Sequence, residues 1–224
     1  MTFHIITIFP NIFDSYFNES IIKRAQDKKL IKIKTYNLRD WSTDKHKTVD
    51  DTPFGGGAGM LMKIEPLYNA IKDIKSKIDS DKSKTRTILM SAKGKTWTQQ
   101  ISQEYSKKYS DIILICGRYE GVDERITNFI DEEISIGNYV LTGGEIGAMA
   151  LVDSVSRLIP AVLGNNESSV EESHSEVGVL EYPHYTRPEI FIDIDGKEYK
   201  TPKVLLSGNH AKIKEWREKQ SKKV

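Results

Sequence analysis

Residues 112–125 read IILICGRYEGVDER. The apolar run 112–116 predicts a buried strand. Gly117 stops it, and a helix-like stretch resumes at about Val122. Many nucleotide sites begin at such a strand end. A phosphate cradle, however, needs more glycines, backbone N–H groups and a lysine. This loop carries Arg118, Tyr119, Glu120, Asp123 and Glu124 instead. Its ligand must be one that suits a strand end rich in carboxylates.

Working outward, further apolar runs predict strands at 3–9, 31–37 and 86–90, with a short run at 139–145 that breaks at paired glycines. Helices are predicted from Pro10 to about Lys28, from Glu65 onward, at 96–109, near 122–130, and from 145 to about Leu158, where Pro160 ends the pattern. Leu67, Ile71, Ile74 and Ile78 recur at helical spacing after Pro66. Strands alternating with helices imply an α/β fold with a mostly parallel sheet and helices on both faces. After Gly164 the character changes. The stretch NNESSVEESHSEVG (165–178) is polar and acidic, which predicts a linker or mobile loop. The expected organisation is a first domain at 1–162, a linker at 163–178 and a small, mainly helical unit at 179–224. In that unit Asn209 is placed to cap a helix over 210–221, with Ile213 and Trp216 inward. Its outer side carries Lys212, Lys214, Arg217 and Lys219, followed by Lys222 and Lys223. That pattern fits either a solvated face or a contact with phosphates.

The 224 residues are 38% hydrophobic, enough for a core, and the net charge is +1. A global basic field is absent, so any nucleic-acid contact must use local patches. The N-terminus lacks a basic region before its apolar stretch, which Pro10 cuts short; no signal peptide is expected. No apolar run is long enough to span a membrane. Cys116 lies inside the strand pattern and is expected as a small core residue. A lone cysteine forms no internal disulfide, which fits a cytoplasmic protein. His4, His46, His174, His184 and His210 show no metal spacing, so no metal site is predicted.

Ligands of open parallel sheets bind at the carboxyl ends of the strands. Three such ends carry glycine loops: MSAKGK (90–95), CGRYEG (116–121) and SIGNYVLTGGE (135–145). None matches a dinucleotide fingerprint or a phosphate loop. Glycines there let a ligand approach the main chain. Glu120 adds negative charge, which suits ammonium and sulfonium centres and repels a pyrophosphate. S-adenosylmethionine has those centres, an adenosine and no phosphate. Solvated turns remain the plainer alternative on spacing alone. A fourth loop, KHKTVDDTPFGGGAGM (45–60), is too glycine-rich for helix or strand. Its lysines suit phosphates, and a carboxylate suits the N1–H and N2 donors of guanine; a disordered loop is the alternative.

Together the motifs FP (9–10), HKTVDDTPFGGGAGM, CGRYEGVDER, DEEISIGNYVLTGGE, VDSVSRLIPAVLG, PHYTRPE and LLSGNH recur in the order and spacing of one family. The sequence resembles the bacterial tRNA (guanine-N1)-methyltransferases of the TrmD family, which methylate guanosine 37 beside the anticodon. The resemblance spans nearly the whole chain. It implies a SPOUT-type domain threaded as a trefoil knot, a small C-terminal tRNA-binding domain, and an obligate homodimer whose partner completes each cofactor pocket. It implies that S-adenosylmethionine lies against Met90, Ser91, Gly117, Tyr119, Glu120, Ile136, Gly137, Asn138, Tyr139, Val140, Leu141, Gly143 and Gly144, with Glu181 coming from the partner. Asp50, His46, Gly57 and Gly59 would bind the substrate tRNA at its G36-G37 step. The resemblance raises magnesium dependence, on which the sequence is silent.

Guanine N1 holds a proton at neutral pH and is a poor nucleophile until a base removes it. Charge then grows on O6, where an arginine stabilises it. By motif the base maps to Glu172 and the arginine to Arg157. The family's usual base is aspartate; here Glu171-Glu172 occupy the place, and the assignment is open by one position. Ala58, Ala92 and Gly147 replace prolines common in the family pattern. The sequence ends soon after WREKQSKK, where many relatives continue, so recognition of the tRNA body is expected to be trimmed. Two other readings stay open: an α/β nucleotide-cofactor enzyme, and a non-catalytic RNA-binding module.

Overall fold

The computed structural model describes residues 1–79, 81–163, 173 and 178–223. The chain divides into two compact units, Met1–Asn165 and Asn166–Val224. The first holds five paired strands: β1 (Thr2–Thr7), β2 (Lys32–Asn37), β5 (Thr85–Thr96), β6 (Asp111–Cys116) and β7 (Glu132–Ser135). They run side by side in the order β2-β1-β6-β5-β7, and every pairing is parallel. A two-stranded ribbon, β3 (Asp50–Asp51) with β4 (Leu61–Met62), stands apart from this sheet.

The central strands read as continuous apolar runs because both sheet faces are covered. All six residues of β6 are buried. Phe3, Ile5, Ile112 and Leu114 pack with residues of α1 (Asp14–Phe17), α2 (Ser20–Asp27), α4 (Gln99–Lys108) and α5 (Glu145–Ser156). Ile6, Ile113 and Ile115 pack on the other face with Leu67, Ala70, Ile71 and Ile74 of α3 (Ile64–Ser76). This is the predicted mostly parallel α/β sheet with helices on both faces. Half-exposed β2 lies at one edge, as its alternation KIKTYN implies.

Four predicted elements differ in detail. The apolar run 139–145 is loop, and the strand of that region is β7, just before it. The helix expected over 10–28 is split: a 3₁₀ turn over Pro10–Phe13 leads into α1, and Ser20 (φ +48°) breaks the path before α2. The helix expected near 122–130 is a 3₁₀ turn, Glu124–Asn128, capped by Asp123, whose side chain accepts from Arg125 N–H. Short polar caps and turns won there over apolar spacing. β5 is longer than expected, because its pairing with β7 resumes at Lys95 after a bulge that follows Met90.

The second unit carries β8 (Val179–Leu180), β9 (Ile190–Ile192), β10 (Glu198–Lys200), α6 (Lys203–Leu206), α7 (His210–Gln220) and β11 (Lys222–Lys223). Asn209 caps α7 by accepting Lys212 N–H at 3.1 Å. No helix among the described residues is long and apolar enough to cross a membrane.

One buried polar cluster bears on pH. His4 on β1 is 3% exposed, with Nε2 3.2 Å from Asp111 Oδ1 and Nδ1 3.1 Å from Tyr36 Oη. A neutral ring satisfies both, donating to the carboxylate and accepting from the phenol. Burial is the main cause that lowers the His4 pKa below its usual 6.5, outweighing Asp111, which raises it. The folded state therefore binds fewer protons than the unfolded state just below pH 6.5, and stability falls as pH drops through that range. Melting temperatures between pH 7 and pH 5 should decline less steeply in a His4→Gln variant than in the parent. Parallel declines would contradict this assignment.

Candidate functional site

The strand ends assemble one cavity. The bulge that follows Met90 in β5 and the loops after β6 and β7 meet at one edge of the sheet and enclose about 480 Å³, within the range of small-molecule sites. Met90, Ser91, Gly117, Tyr119, Glu120, Ile136, Gly137, Tyr139, Val140, Leu141, Gly143 and Gly144 all line it. Twelve of the fourteen residues expected to hold a cofactor are thus brought together, from three loops far apart in sequence. Asn138 belongs to the same loop but is not part of the lining. Glu181 belongs to the second unit, where its carboxylate lies 2.8 Å from His184 Nε2 and its N–H donates to Ser173 Oγ at 3.0 Å.

Two glycines explain how the walls come so close. A Cβ on Gly144 would lie 2.8 Å from Cys116 Cα and 2.9 Å from Met90 Cβ, so only glycine lets α5 start against the ends of β5 and β6. Gly144 N–H donates to Gly117 O at 2.9 Å, stitching the second and third loops together. A Cβ on Gly94 would lie 2.5 Å from Glu133 main chain. Gly94 thereby returns the bulge of β5 to the ladder and leaves Ser91, Ala92 and Lys93 on the cavity wall.

The electrostatics of the lining follow from its pairs. Glu120, Glu124 and Glu133 face the cavity, with two cations, Lys93 and Arg118. Lys93 Nζ is engaged by Glu124 at 2.8 Å. Arg118 Nε donates to Glu145 Oε2 at 2.9 Å, Nη1 donates to Thr142 O at 3.2 Å, and the guanidinium lies 4.9 Å from the centre of the Phe9 ring. Both cations are already engaged, Lys93 Nζ also lying 3.7 Å from Glu133 Oε1, and among the described residues the buried Oε2 of Glu133 has no hydrogen-bond partner. A pyrophosphate does not fit such a lining, whereas a ligand carrying cations and N–H or O–H donors does. Cys116 at the base is fully buried, and burial, then the Glu145 charge, push its thiol pKa well up. It is a core residue, not a nucleophile.

Sequence reasoning missed the buried brace behind the cavity. Glu145 opens α5, is 1% exposed, and accepts from both Arg118 and the Thr7 hydroxyl, the latter at 2.8 Å. A glutamate in a first helical turn reads as a dipole cap. Its burial beside β1 depends on strand order, which no local pattern displays.

Beside the cavity, the glycine-rich loop springs from the ribbon of β3 and β4. Asp50 lies on β3, and its Oδ1 accepts the Tyr119 hydroxyl at 3.0 Å. Gly59 packs against the Glu120 side chain. Gly57 has little beside it, and Phe54 is fully exposed. His46 is exposed, its N–H donating to Asp44 Oδ1 at 2.8 Å. Asp50, Gly59 and the cavity are therefore brought together, while Gly57 and His46 reach outward. Arg157 ends α5, with its N–H donating to Asp153 O at 3.1 Å. Glu172 and Glu171 lie outside the described residues.

An open parallel sheet with a glycine-floored, carboxylate-lined cavity at its strand ends defines an α/β protein whose candidate small-molecule site has no phosphate loop. The model of one family, described as tRNA (Guanine-1)-methyltransferase TrmD, matches residues 1–224. Curated relatives share about half their residues with it. A protein of Dictyoglomus turgidum is 53% identical over 98% of this chain and 84% of its own. One of Clostridioides difficile is 52% identical over 100% and 94%, and one of Dehalococcoides mccartyi is 50% identical over 99% and 86%. Each is named tRNA (guanine-N(1)-)-methyltransferase. The chain belongs to the TrmD family of tRNA methyltransferases.

Proposed function

We propose that the protein transfers a methyl group from S-adenosylmethionine to N1 of guanosine 37 in tRNA, working as a homodimer. The observation that carries this reading is the cavity: glycine-floored, lined by glutamates, and with both its cations engaged. When bound, S-adenosylmethionine supplies a methyl carbon on a positively charged sulfur, and the products are N1-methylguanine and S-adenosylhomocysteine. The glycine edges at Gly117 and Gly144 would face the adenosine, and Glu120 the cationic end. Asp50 would read guanine from the ribbon beside the cavity. Glu172 would take the N1 proton, and Arg157 would stabilise charge on O6. The SPOUT-type knotted path and the tRNA-binding role of the second unit belong to the same proposal.

Two features support the dimer. Arg157 lies ten residues beyond Gly147, the α5 residue on the cavity wall; at 1.5 Å per residue that is about 15 Å of helix. An arginine so placed serves the chemistry more readily in a second copy's cavity than in its own. Phe9, Ile12, Tyr16 and Ile146 are each at least 40% exposed. Ile12, Tyr16 and Ile146 lie on or beside α5, and a covering copy would bury them.

The test is incorporation of labelled methyl groups from S-adenosylmethionine into tRNA transcripts bearing G37 or A37. Labelling of the G37 transcript alone is expected. Equal or absent labelling would contradict the reading, as would thermal stabilisation by NAD but not by S-adenosylhomocysteine.

A further inference from the structure

Asp50 is mechanically part of the cavity wall. On the ribbon it pairs with Met62. Met62 N–H donates to Gly121 O at 2.9 Å, Asp123 N–H donates to Met62 O at 3.0 Å, and Glu120 N–H donates to Met60 O at 3.0 Å. The ribbon and the GRYEG loop are thus one hydrogen-bonded piece. Tyr119, in that loop, holds a left-handed backbone (φ +61°), unfavourable for an aromatic residue and retained only where surroundings enforce it. In that conformation its side chain lines the cavity while its hydroxyl holds Asp50 Oδ1 at 3.0 Å. Arg39, whose Nη1 donates to Lys47 O at 3.2 Å, acts electrostatically on the same hydroxyl, lowering its pKa against the larger effects of burial and Asp50, which raise it. Among the described residues Asp50 Oδ2 has no hydrogen-bond partner.

We infer that Tyr119 is a positioning residue for purine specificity: its hydroxyl, steadied by Arg39, holds the Asp50 carboxylate so that Oδ2 meets the exocyclic N2 amine of guanine, leaving N1 to the base. This rests on the guanine-methylation reading. It adds that selection of the purine is set by a residue of the cofactor wall. Inosine lacks the N2 amine, so discrimination between guanosine and inosine reports on the arrangement.

The test compares the parent with Tyr119→Phe and Arg39→Met, using tRNA transcripts with guanosine or inosine at the target position. In Tyr119→Phe the dissociation constant for S-adenosylhomocysteine, by calorimetry, should rise by a smaller factor than that for tRNA. The dissociation constant for tRNA, by filter binding, should rise about tenfold, the loss typical of a hydrogen bond to a charged group. The guanosine-over-inosine preference in kcat/KM should shrink by a similar factor, and Arg39→Met should move both in the same direction. Added to Asp50→Asn, Tyr119→Phe should change tRNA affinity less than about twofold, because its partner is already neutralised. Unchanged tRNA affinity and preference in both single variants would overturn the inference, as would a loss confined to S-adenosylhomocysteine binding. A parent enzyme that methylates neither transcript would instead overturn the reading beneath it.

Discussion

Replacing Glu145 with alanine is expected to destabilise the protein by about 3–5 kcal/mol, the cost of breaking a buried ion pair from one side. The Arg118 side chain is 17% exposed and the Glu145 side chain 1%. Removing the carboxylate leaves the guanidinium short of its counter-ion and the Thr7 hydroxyl without its acceptor. Two strand ends and the start of α5 meet at this point, so the cavity should loosen together with the fold. Denaturant unfolding should show the loss, and calorimetry should show weaker binding of S-adenosylhomocysteine. Glu145→Gln retains an acceptor for Thr7 and should fall between parent and Glu145→Ala. A Glu145→Ala protein within about 1 kcal/mol of the parent would remove the brace from the account, since that is the scale of an ordinary substitution.

The second large effect is catalytic. Glu172→Gln should lower turnover about 10²–10⁴-fold, the usual contribution of a positioned base, with S-adenosylhomocysteine binding retained. The amide keeps size and shape but cannot take the N1 proton. Raising the pH should recover part of the activity, because a larger fraction of guanine N1 is then already deprotonated. Arg157→Ala should fall by a comparable factor without such recovery. If Glu171→Gln loses activity instead while Glu172→Gln does not, the base is the neighbouring residue. If neither glutamate matters, proton removal by this segment is wrong.

The parts legible in the sequence share a physical cause. The middle of β6 is apolar because both sheet faces are covered, so the run IILIC announces itself. Glycines at 117 and 144 are legible as loop breaks, and the structure shows that Gly144 has no room for a methyl group. Long-range pairing was not legible. Arg118 and Glu145 are 27 residues apart, and only the order of strands brings them to 2.9 Å. The Tyr119 hydroxyl meets Asp50 across 69 residues for the same reason. The break at Ser20 was missed because Ile12, Phe13, Phe17, Ile21 and Ile22 keep an apolar pattern across it; a left-handed serine leaves no mark in hydropathy.

Cofactor binding at the strand ends is tested most directly by a crystal structure of the protein with S-adenosylhomocysteine. The ligand is expected in the cavity at the ends of β5, β6 and β7, its adenosine against the main chain of Gly117 and residues 136–141, its amino group toward a carboxylate. A ligand found elsewhere, or a cavity that stays empty while a diphosphate nucleotide fills it in a parallel crystal, would contradict it.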